Sequence, residues 1–490
     1  MVLLQGCASG TLTPGRVAGN TTTTEAISVS TSATSIVATS AEASTGSSSM
    51  ACGVSPGIYD HAAVDNGLPG SLSSQNIVAG LLPATTYYCQ ISGTDSAGTT
   101  SATFTTQTAA LAASTPIAGL SLGAVTSYDS LNANNYMEGD TFYNCKSNDG
   151  ATYLTTDDTR GWQQNGSPPM QSSALSLVKL TAEDPLAGIT VNPLAAYGPA
   201  GTPTGDDRRT QKSSGLFCMQ GKLFMTIGRQ LNQATGGMGS NTAYTQDAGQ
   251  VIWSADKGAS WNNFEAPQSF STHGSPTSIP SATMFPSVPG EMGSATFVMY
   301  CGDDGTLGYL DPCNRTDNAD AYAYLMANDG FWDSGNELYL ARVPRAKLGR
   351  LQASDYEFYT SGDGSLDSSW TASQGDARPV IANKGKLGEP SVQYLPALNR
   401  YLLLTYSYPQ GLAAGAAHAE HTLWLGYEAP HPWGPWTIIN SMEWPAQGYY
   451  NPVILNDTAN QGTSPILMFT GNFFGSGTYQ MYLGKLTVLH

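Results

Sequence analysis

The sequence predicts an all-β protein in which a small β-sandwich precedes a much larger domain of repeated sheets, most economically a β-propeller. Glycine supplies 54 of the 490 residues, serine, threonine, asparagine and tyrosine are abundant, and only 12% of the residues are charged. Glycine and asparagine suit turns, whereas threonine and tyrosine suit strands. No long segment has the 3.6-residue periodicity of an amphipathic helix. Residues 118 to 490 repeat one pattern of short strands separated by turns. A ring of blades is the simplest way to close that much β-sheet without exposed edges.

The chain starts with a short lead-in, residues 1 to 25. Residues Leu3 to Cys7 resemble the end of a bacterial lipoprotein signal, in which a small residue precedes a lipidated cysteine, although the basic region before it is missing. Residues 8 to 25 are rich in threonine, glycine and serine and too polar to build a core. The sequence therefore favours an extracellular or cell-surface protein with a candidate lipid anchor at Cys7. The alternative is an ordinary cytosolic start.

The net charge of −17 limits the classes of partner that the protein can bind. An acidic surface repels phosphate backbones, so nucleic acid is disfavoured as a partner. No run of about 20 apolar residues occurs, so no transmembrane helix is expected.

Cysteine spacing predicts disulfides rather than a metal site. Apart from Cys7, the six cysteines allow three bridges, namely Cys52–Cys89, Cys301–Cys313 and, as the remaining pair, Cys145–Cys218. Buried free thiols are the alternative. No Cys/His cluster has zinc spacing, and the segment from His418 to His421 is not an H-E-x-x-H motif. Neither a metal nor another cofactor is expected.

Residues 26 to 108 form the predicted sandwich. The segment Gly80 to Gly98 holds a Leu-Pro turn, a T-x-Y corner at Thr85 to Tyr87, a strand and a D-x-x-G turn. This pattern resembles a fibronectin type III module, whose tyrosine packs over a corner of the sandwich. An Ala/Ser/Thr/Pro linker at 109–117 separates it from the large domain.

Turn motifs support repeated blades in residues 118 to 490. Ser254 to Trp261 matches S-x-D-x-G-x-[ST]-W, the Asp-box of sialidase-like propellers, with looser echoes at 156–162 and 361–370. In that motif the aspartate caps a turn and the glycine takes a positive φ. Asp256 is therefore predicted to be structural.

Several stretches together resemble a family of exported five-bladed propellers related to bacterial endo-D-arabinanases. They are Glu138–Phe142, Asn328–Trp332, Leu340–Arg345, Asn399–Leu403 and the turn Trp433–Trp436. The resemblance implies five blades and glycoside hydrolysis of a polysaccharide or oligosaccharide.

Glycoside hydrolysis needs two carboxyl groups beside the scissile bond, and Asp140 with Asp158 is the predicted catalytic pair. The Asn148-Asp149-Gly150 turn between them allows a hairpin to bring the second carboxylate beside the first. The spacing also matches what the arabinanase resemblance implies. A structural turn at Asp157 and Asp158 is the alternative.

Three further residues are predicted to bind substrate. Glu138 shares a strand face with Asp140 by alternation. Arg229 ends a strand, and Glu389 precedes one that would line a central funnel. The alternatives to hydrolysis are a polysaccharide lyase, with His273 as the candidate base, and a non-enzymatic carbohydrate-binding or surface-assembly protein.

Overall fold

The computed structural model describes residues 27–31, 35–40, 48–59, 61–62, 64–65, 75–79, 85–95, 98–108, 116–128, 136–163, 173–182, 184–197, 211–230, 246–262, 284–285, 292, 294–299, 322–329, 335–360, 370–408, 421–445, 447–456, 462–472 and 478–490. Within them, thirty strands accompany one four-residue α-helix, α1 (Arg345–Leu348), and two 3-10 turns, so the predicted all-β class is confirmed. No helix among these residues is long and apolar enough to cross a membrane.

Two compact units divide the chain. The first comprises Met1–Ala112 with Ile381–Asn383, and the second comprises Ala113–Val380 with Lys384–His490. The finer boundaries at 26–108, 109–117 and 118–490 stay predictions.

Eight strands build the first unit, and they form two four-stranded antiparallel sheets, β1-β2-β6-β5 and β4-β3-β7-β8. In chain order they are β1 (Ile27–Thr31), β2 (Ser35–Ser40), β3 (Ser48–Gly53), β4 (His61–Ala62), β5 (Val64–Asp65), β6 (Gln75–Ala79), β7 (Thr86–Asp95) and β8 (Gly98–Gln107).

The two sheets of this unit share one apolar core. Ile36 and Val78 from one sheet pack with Met50, Tyr87 and Ile91 from the other, and all five are buried. Alternating apolar residues on each strand explain this, since they put one face of each sheet inward. The unit is a β-sandwich. 

The first predicted disulfide is confirmed in the sandwich. Cys52 on β3 and Cys89 on β7 are directly opposite each other in the sheet and are bonded. Their Cα atoms are 4.0 Å apart.

The second unit contains the remaining strands, except that Ile381–Asn383, the first three residues of the strand Ile381–Leu387, belong to the first unit. They are β9 (Gly119–Ser127), β10 (Tyr136–Asp140), β11 (Asn144–Lys146), β12 (Thr152–Gln163), β13 (Ser173–Thr181), β14 (Thr190–Tyr197), β15 (Gln211–Met219), β16 (Lys222–Gln230), β17 (Gln246–Ser254), β18 (Thr296–Met299), β19 (Tyr322–Asn328), β20 (Gly335–Pro344), β21 (Glu357–Tyr359), β22 (Trp370–Thr371), β23 (Ile381–Leu387), β24 (Ser391–Leu395), β25 (Arg400–Ser407), β26 (His421–Ala429), β27 (Thr437–Pro445), β28 (Tyr450–Ile454), β29 (Ile466–Thr470) and β30 (Met481–Leu489).

These strands form five antiparallel meanders in the described part of the chain. The first meander is β10–β14, the second β15–β17, the third β18–β22 with β23 beside β20, the fourth β24–β27, and the fifth β28–β30. β9 pairs with β30 as the last strand of the fifth meander, so the two ends of the unit share one sheet. The third and fourth meanders are joined through parallel pairing of β18 with β24.

The first strands of the last four meanders lie next to one another, and β11, which follows β10 along the same edge of β12, lies beside them. β15 contacts β11 and β18, and β24 contacts β18 and β28. Between the fifth meander and the first, Asn144 donates to the Ile454 carbonyl and accepts from the Asn456 amide. A cavity of about 10 Å³ is lined by residues of all five meanders, among them Tyr143, Leu216, Phe297, Val392 and Val453. Such a space holds one water at most.

A second predicted disulfide, Cys145–Cys218, is also confirmed. It joins β11 to β15 with a Cα–Cα distance of 5.5 Å, and so links the first and second meanders. Cys7, Cys301 and Cys313 lie outside the described residues.

The turn after β17 is stabilised by its own side chains. Asp256 accepts hydrogen bonds from the Ser254 hydroxyl and from the amide and hydroxyl of Ser260. Gly258 has a φ of 95°, a left-handed conformation that favours glycine. These contacts use Asp256 to hold the turn, in keeping with the structural role predicted for it.

Candidate active site

Asp140 is the last residue of β10, and its carboxylate is held from another meander. The Tyr450 hydroxyl, at the start of β28, donates to Oδ2 of Asp140 over 2.8 Å. The Thr141 hydroxyl lies 3.4 Å from Oδ1. Thr141 has a φ of 55°, which is costly for a β-branched residue, and strained residues of this kind concentrate at functional sites.

An irregularity in the sheet surrounds Gly139. Glu138 pairs with Gly161, whereas Asp140 pairs with Asp157, so three residues of β12 lie opposite Gly139 alone. A Cβ at this glycine would overlap the Thr156 hydroxyl and lie 3.2 Å from the Asp157 carbonyl oxygen. Only glycine therefore fits between the two strands, which gives the Gly139-Asp140-Thr141-Phe142 motif a physical basis.

Asp157 and Glu389 are the other carboxylates of the site, and both are almost completely buried. The Ser213 amide donates to Oδ1 of Asp157 over 3.1 Å. Lys212, the residue before Ser213, is also completely buried. Asn451 donates to Oε2 of Glu389 over 3.3 Å, and its own φ is 49°.

The buried Tyr143 phenol is influenced by the charges of all three carboxylates. Burial first, then the charge of Glu389, and more weakly those of Asp157 and Asp140, raise its pKa well above the ordinary tyrosine value, while a hydrogen bond with Asn451 acts in the opposite direction. Its hydroxyl donates to the Pro390 carbonyl over 3.2 Å. We call Asp140, Asp157 and Glu389 the carboxylate cluster.

The carboxylate cluster has the chemistry that acid–base catalysis needs. Buried carboxyl groups that act on one another do not all ionise readily, so a set of them can contain both a proton donor and a proton acceptor. Tyrosines border it: the ring of Tyr450 lies 5.7 Å from that of Tyr406 and 6.4 Å from that of the half-buried Tyr408, measured between centroids. Within the described residues, no group of three His, Cys, Asp or Glu side chains is arranged to hold a metal ion.

The structure places the predicted residues as follows. Asp140 and Glu389 belong to the carboxylate cluster, and the half-buried Glu138 lies two residues before Asp140 on β10. Asp158 lies on β12 within the irregular pairing, and Arg229 lies near the end of β16; their side chains lie outside the described residues, as does all of His273.

Sequence reasoning missed Asp157, Tyr143, Tyr450 and Asn451. The sequence held one signal for Asn451. It precedes Pro452 at the start of a meander, just as the predicted site residue Glu389 precedes Pro390. Nothing local marks Tyr450, whose partner Asp140 is 310 positions away.

Comparisons with known proteins assign a family and no activity. The model of the family described as "Domain of unknown function (DUF4185)" matches residues 112–456. No curated protein matches the chain. Among solved structures, a GH43 β-xylosidase/α-arabinofuranosidase from a compost microbial metagenome, crystallised with xylotriose, is 10% identical; the alignment covers 76% of this chain and 95% of that one, with a TM-score of 0.34. A likeness at that level does not establish a shared fold.

Proposed function

The chain belongs to the DUF4185 family, and from its site we propose that it is an exported glycoside hydrolase that cleaves a polysaccharide or oligosaccharide. Its second unit is a five-bladed β-propeller in this proposal, with one blade per meander. The first unit is a fibronectin type III-like spacer. The pairing of β9 with β30 supports the ring, because it joins the unit's first and last strands in one sheet.

The position of Asp140 carries the proposal. Its carboxylate is buried where the first strands meet, is held by a hydroxyl from another meander, and lies in a cluster with two more carboxylates. Asp140 and Asp158 are the proposed catalytic pair. A bulge such as the one at Asp158 commonly redirects a side chain beside an active site. Glu138, Arg229 and Glu389 would bind the sugar.

Burial makes the two site tyrosines poor candidates for the base of an elimination. A lyase needs a base that removes a carbon-bound proton near neutral pH. The pKa values of Tyr143 and Tyr450 are both raised well above the ordinary value, chiefly by burial, so neither phenol is suited to that role.

Export is supported by the two disulfides, since such bonds persist mainly in oxidising compartments. The lipid anchor at Cys7 is part of the same proposal. Globomycin treatment of a host expressing the chain with its full leader, followed by mass analysis of the N-terminus, tests it.

Glycan cleavage is tested on a panel of arabinans, xylans and arabinoxylo-oligosaccharides. New reducing ends without an unsaturated uronate product identify a hydrolase. We expect Asp140→Asn and Asp158→Asn each to lower kcat/KM by roughly 10²–10⁴-fold, the usual contribution of acid–base groups. The exposed Asp376 gives a matched control, and Asp376→Asn should retain full activity. Full activity in Asp140→Asn would refute the assignment.

A further inference from the structure

We propose that Tyr450 is a positioning residue whose hydroxyl keeps the Asp140 carboxylate ionised and in one orientation, which makes Asp140 the anionic member of the catalytic pair. This inference rests on the proposed function and assigns roles within it. The proton donor is then a different carboxyl group.

The contact joins two distant parts of the second unit. Tyr450 is the first residue of β28 and Asp140 the last of β10, and the 2.8 Å contact between them is buried. The buried tyrosine ring packs against Tyr406 and Tyr408, which limits how far the hydroxyl can move. The contact therefore fixes the direction of one carboxylate oxygen.

The direction of the hydrogen bond determines which protonation state is favoured. Burial and the neighbouring Asp140 charge raise the pKa of Tyr450, so its hydroxyl stays protonated and donates throughout the working pH range. A hydroxyl that donates to a charged oxygen makes a stronger bond than one that donates to a neutral carboxyl. Tyr450 thus favours ionised Asp140.

An ionised Asp140 has two balanced roles in glycoside hydrolysis. As a base it takes a proton from water, whose oxygen bonds to the anomeric carbon as the glycosidic C–O bond breaks. As a nucleophile its oxygen bonds to that carbon directly, and water later releases the sugar. In both cases the leaving oxygen takes its proton from another carboxyl group.

The first test is the pH dependence of Tyr450→Phe on a glycan that the unmodified protein cleaves. We expect kcat/KM to fall about 10-fold, the usual order for a hydrogen bond to a charged group. The acid limb of the pH–rate profile should move up by about one pH unit. Tyr356→Phe is the matched control, because Tyr356 is equally buried but lies beside β21 and packs on Phe285, and its profile should not move.

The second test needs no substrate. The melting temperatures of the unmodified protein, Tyr450→Phe, Asp140→Asn and the double variant are measured from pH 4 to pH 8, a range set by ordinary carboxyl titration. Removing the hydroxyl should cost more stability at neutral than at acidic pH. In the Asp140→Asn background, the effect of Tyr450→Phe should not change with pH, because no carboxylate remains to titrate.

The outcomes separate this inference from the proposed function. A pH-independent effect of Tyr450→Phe in both backgrounds, or an unmoved acid limb, overturns the role of Tyr450 even if Asp140→Asn is inactive. If no glycan is cleaved, the proposed function fails, and the stability cycle still decides whether Tyr450 holds Asp140 ionised.

Discussion

Asn144 offers a sharp test of how the meanders are held together. Its side-chain amide donates to the carbonyls of Phe142 and Ile454, over 3.2 and 3.1 Å, and its oxygen accepts from the Asn456 amide over 2.8 Å. Asn456 in turn accepts from the Lys146 amide and donates to Gln393 on the fourth meander. The network connects three meanders, and its three side chains are almost completely buried.

Asn144→Ala removes three hydrogen bonds and leaves the Asn456 amide and the Ile454 carbonyl without this partner. Each neutral bond contributes about 1 kcal/mol net, and a buried group left unsatisfied costs about 1–3 kcal/mol. We therefore expect a loss of about 3–5 kcal/mol in the free energy of unfolding of the second unit. Urea unfolding followed by tryptophan fluorescence measures it, since residues 118 to 490 contain all nine tryptophans.

Two further variants define the cause. Asn144→Asp keeps an acceptor for Asn456 but directs a charged oxygen at two carbonyls, so it should be less stable than Asn144→Ala at neutral pH and should recover as acid protonates it. Asn262→Ala is the control, because that exposed side chain donates one long bond of 3.4 Å. A loss below about 1 kcal/mol for Asn144→Ala, with an unchanged urea dependence, would refute a stabilising network.

The remaining predictions concern other parts of the second unit and the site. Replacing Cys145 and Cys218 with serine opens a 73-residue loop and should cost about 4 kcal/mol by the chain-entropy relation, as measured by urea unfolding against the unmodified protein under non-reducing conditions. Gly139→Ala should abolish activity and lower the melting temperature, whereas Gly150→Ala, where a Cβ meets nothing, should cost only the strain of its φ of 79°. Burial chiefly raises the pKa of Glu337 to about 7, so the folded protein holds that proton more tightly than the unfolded chain does. The free energy of unfolding should therefore fall as the pH rises from about 4.5 to 7, and Glu337→Gln should remove roughly 3 kcal/mol of that decline, as measured by unfolding at several pH values.

Local chemistry made much of the fold predictable. Threonine- and tyrosine-rich runs between glycine turns predict strands, and the described residues contain strands almost throughout. The pairing of Cys52 with Cys89 followed from their place within one predicted module. The carboxylate at Asp140 was marked by its motif, in which Gly139 has no room for a side chain.

The rest depended on contacts that alternation cannot predict. Asp157 and Asp158 are adjacent, and a slip of one residue in a strand exchanges the faces of its side chains. The irregular pairing at Gly139 falls at this point, so the sequence could not decide which aspartate lies opposite Asp140. A hairpin partner for Asp140 can be predicted from a single turn in the sequence. The contact of Asp140 with Tyr450 cannot, because the two residues are 310 positions apart and meet only when the whole second unit has folded.

Strained backbone and the hydrogen bonds that hold it in place occur together at the carboxylate cluster. Thr141 and Asn451 both adopt left-handed backbone conformations. Thr141 follows Asp140 in the chain, and Asn451 follows Tyr450, whose hydroxyl donates to Asp140. Such conformations persist only where surrounding contacts impose them. Asn144 lies three residues after Thr141, and Asn456 lies five after Asn451, so the hydrogen bond between them connects the two strained segments. A loosened network should therefore affect catalysis before it unfolds the protein: Asn144→Ala should lower kcat at temperatures well below its melting transition, whereas the control Asn262→Ala should not.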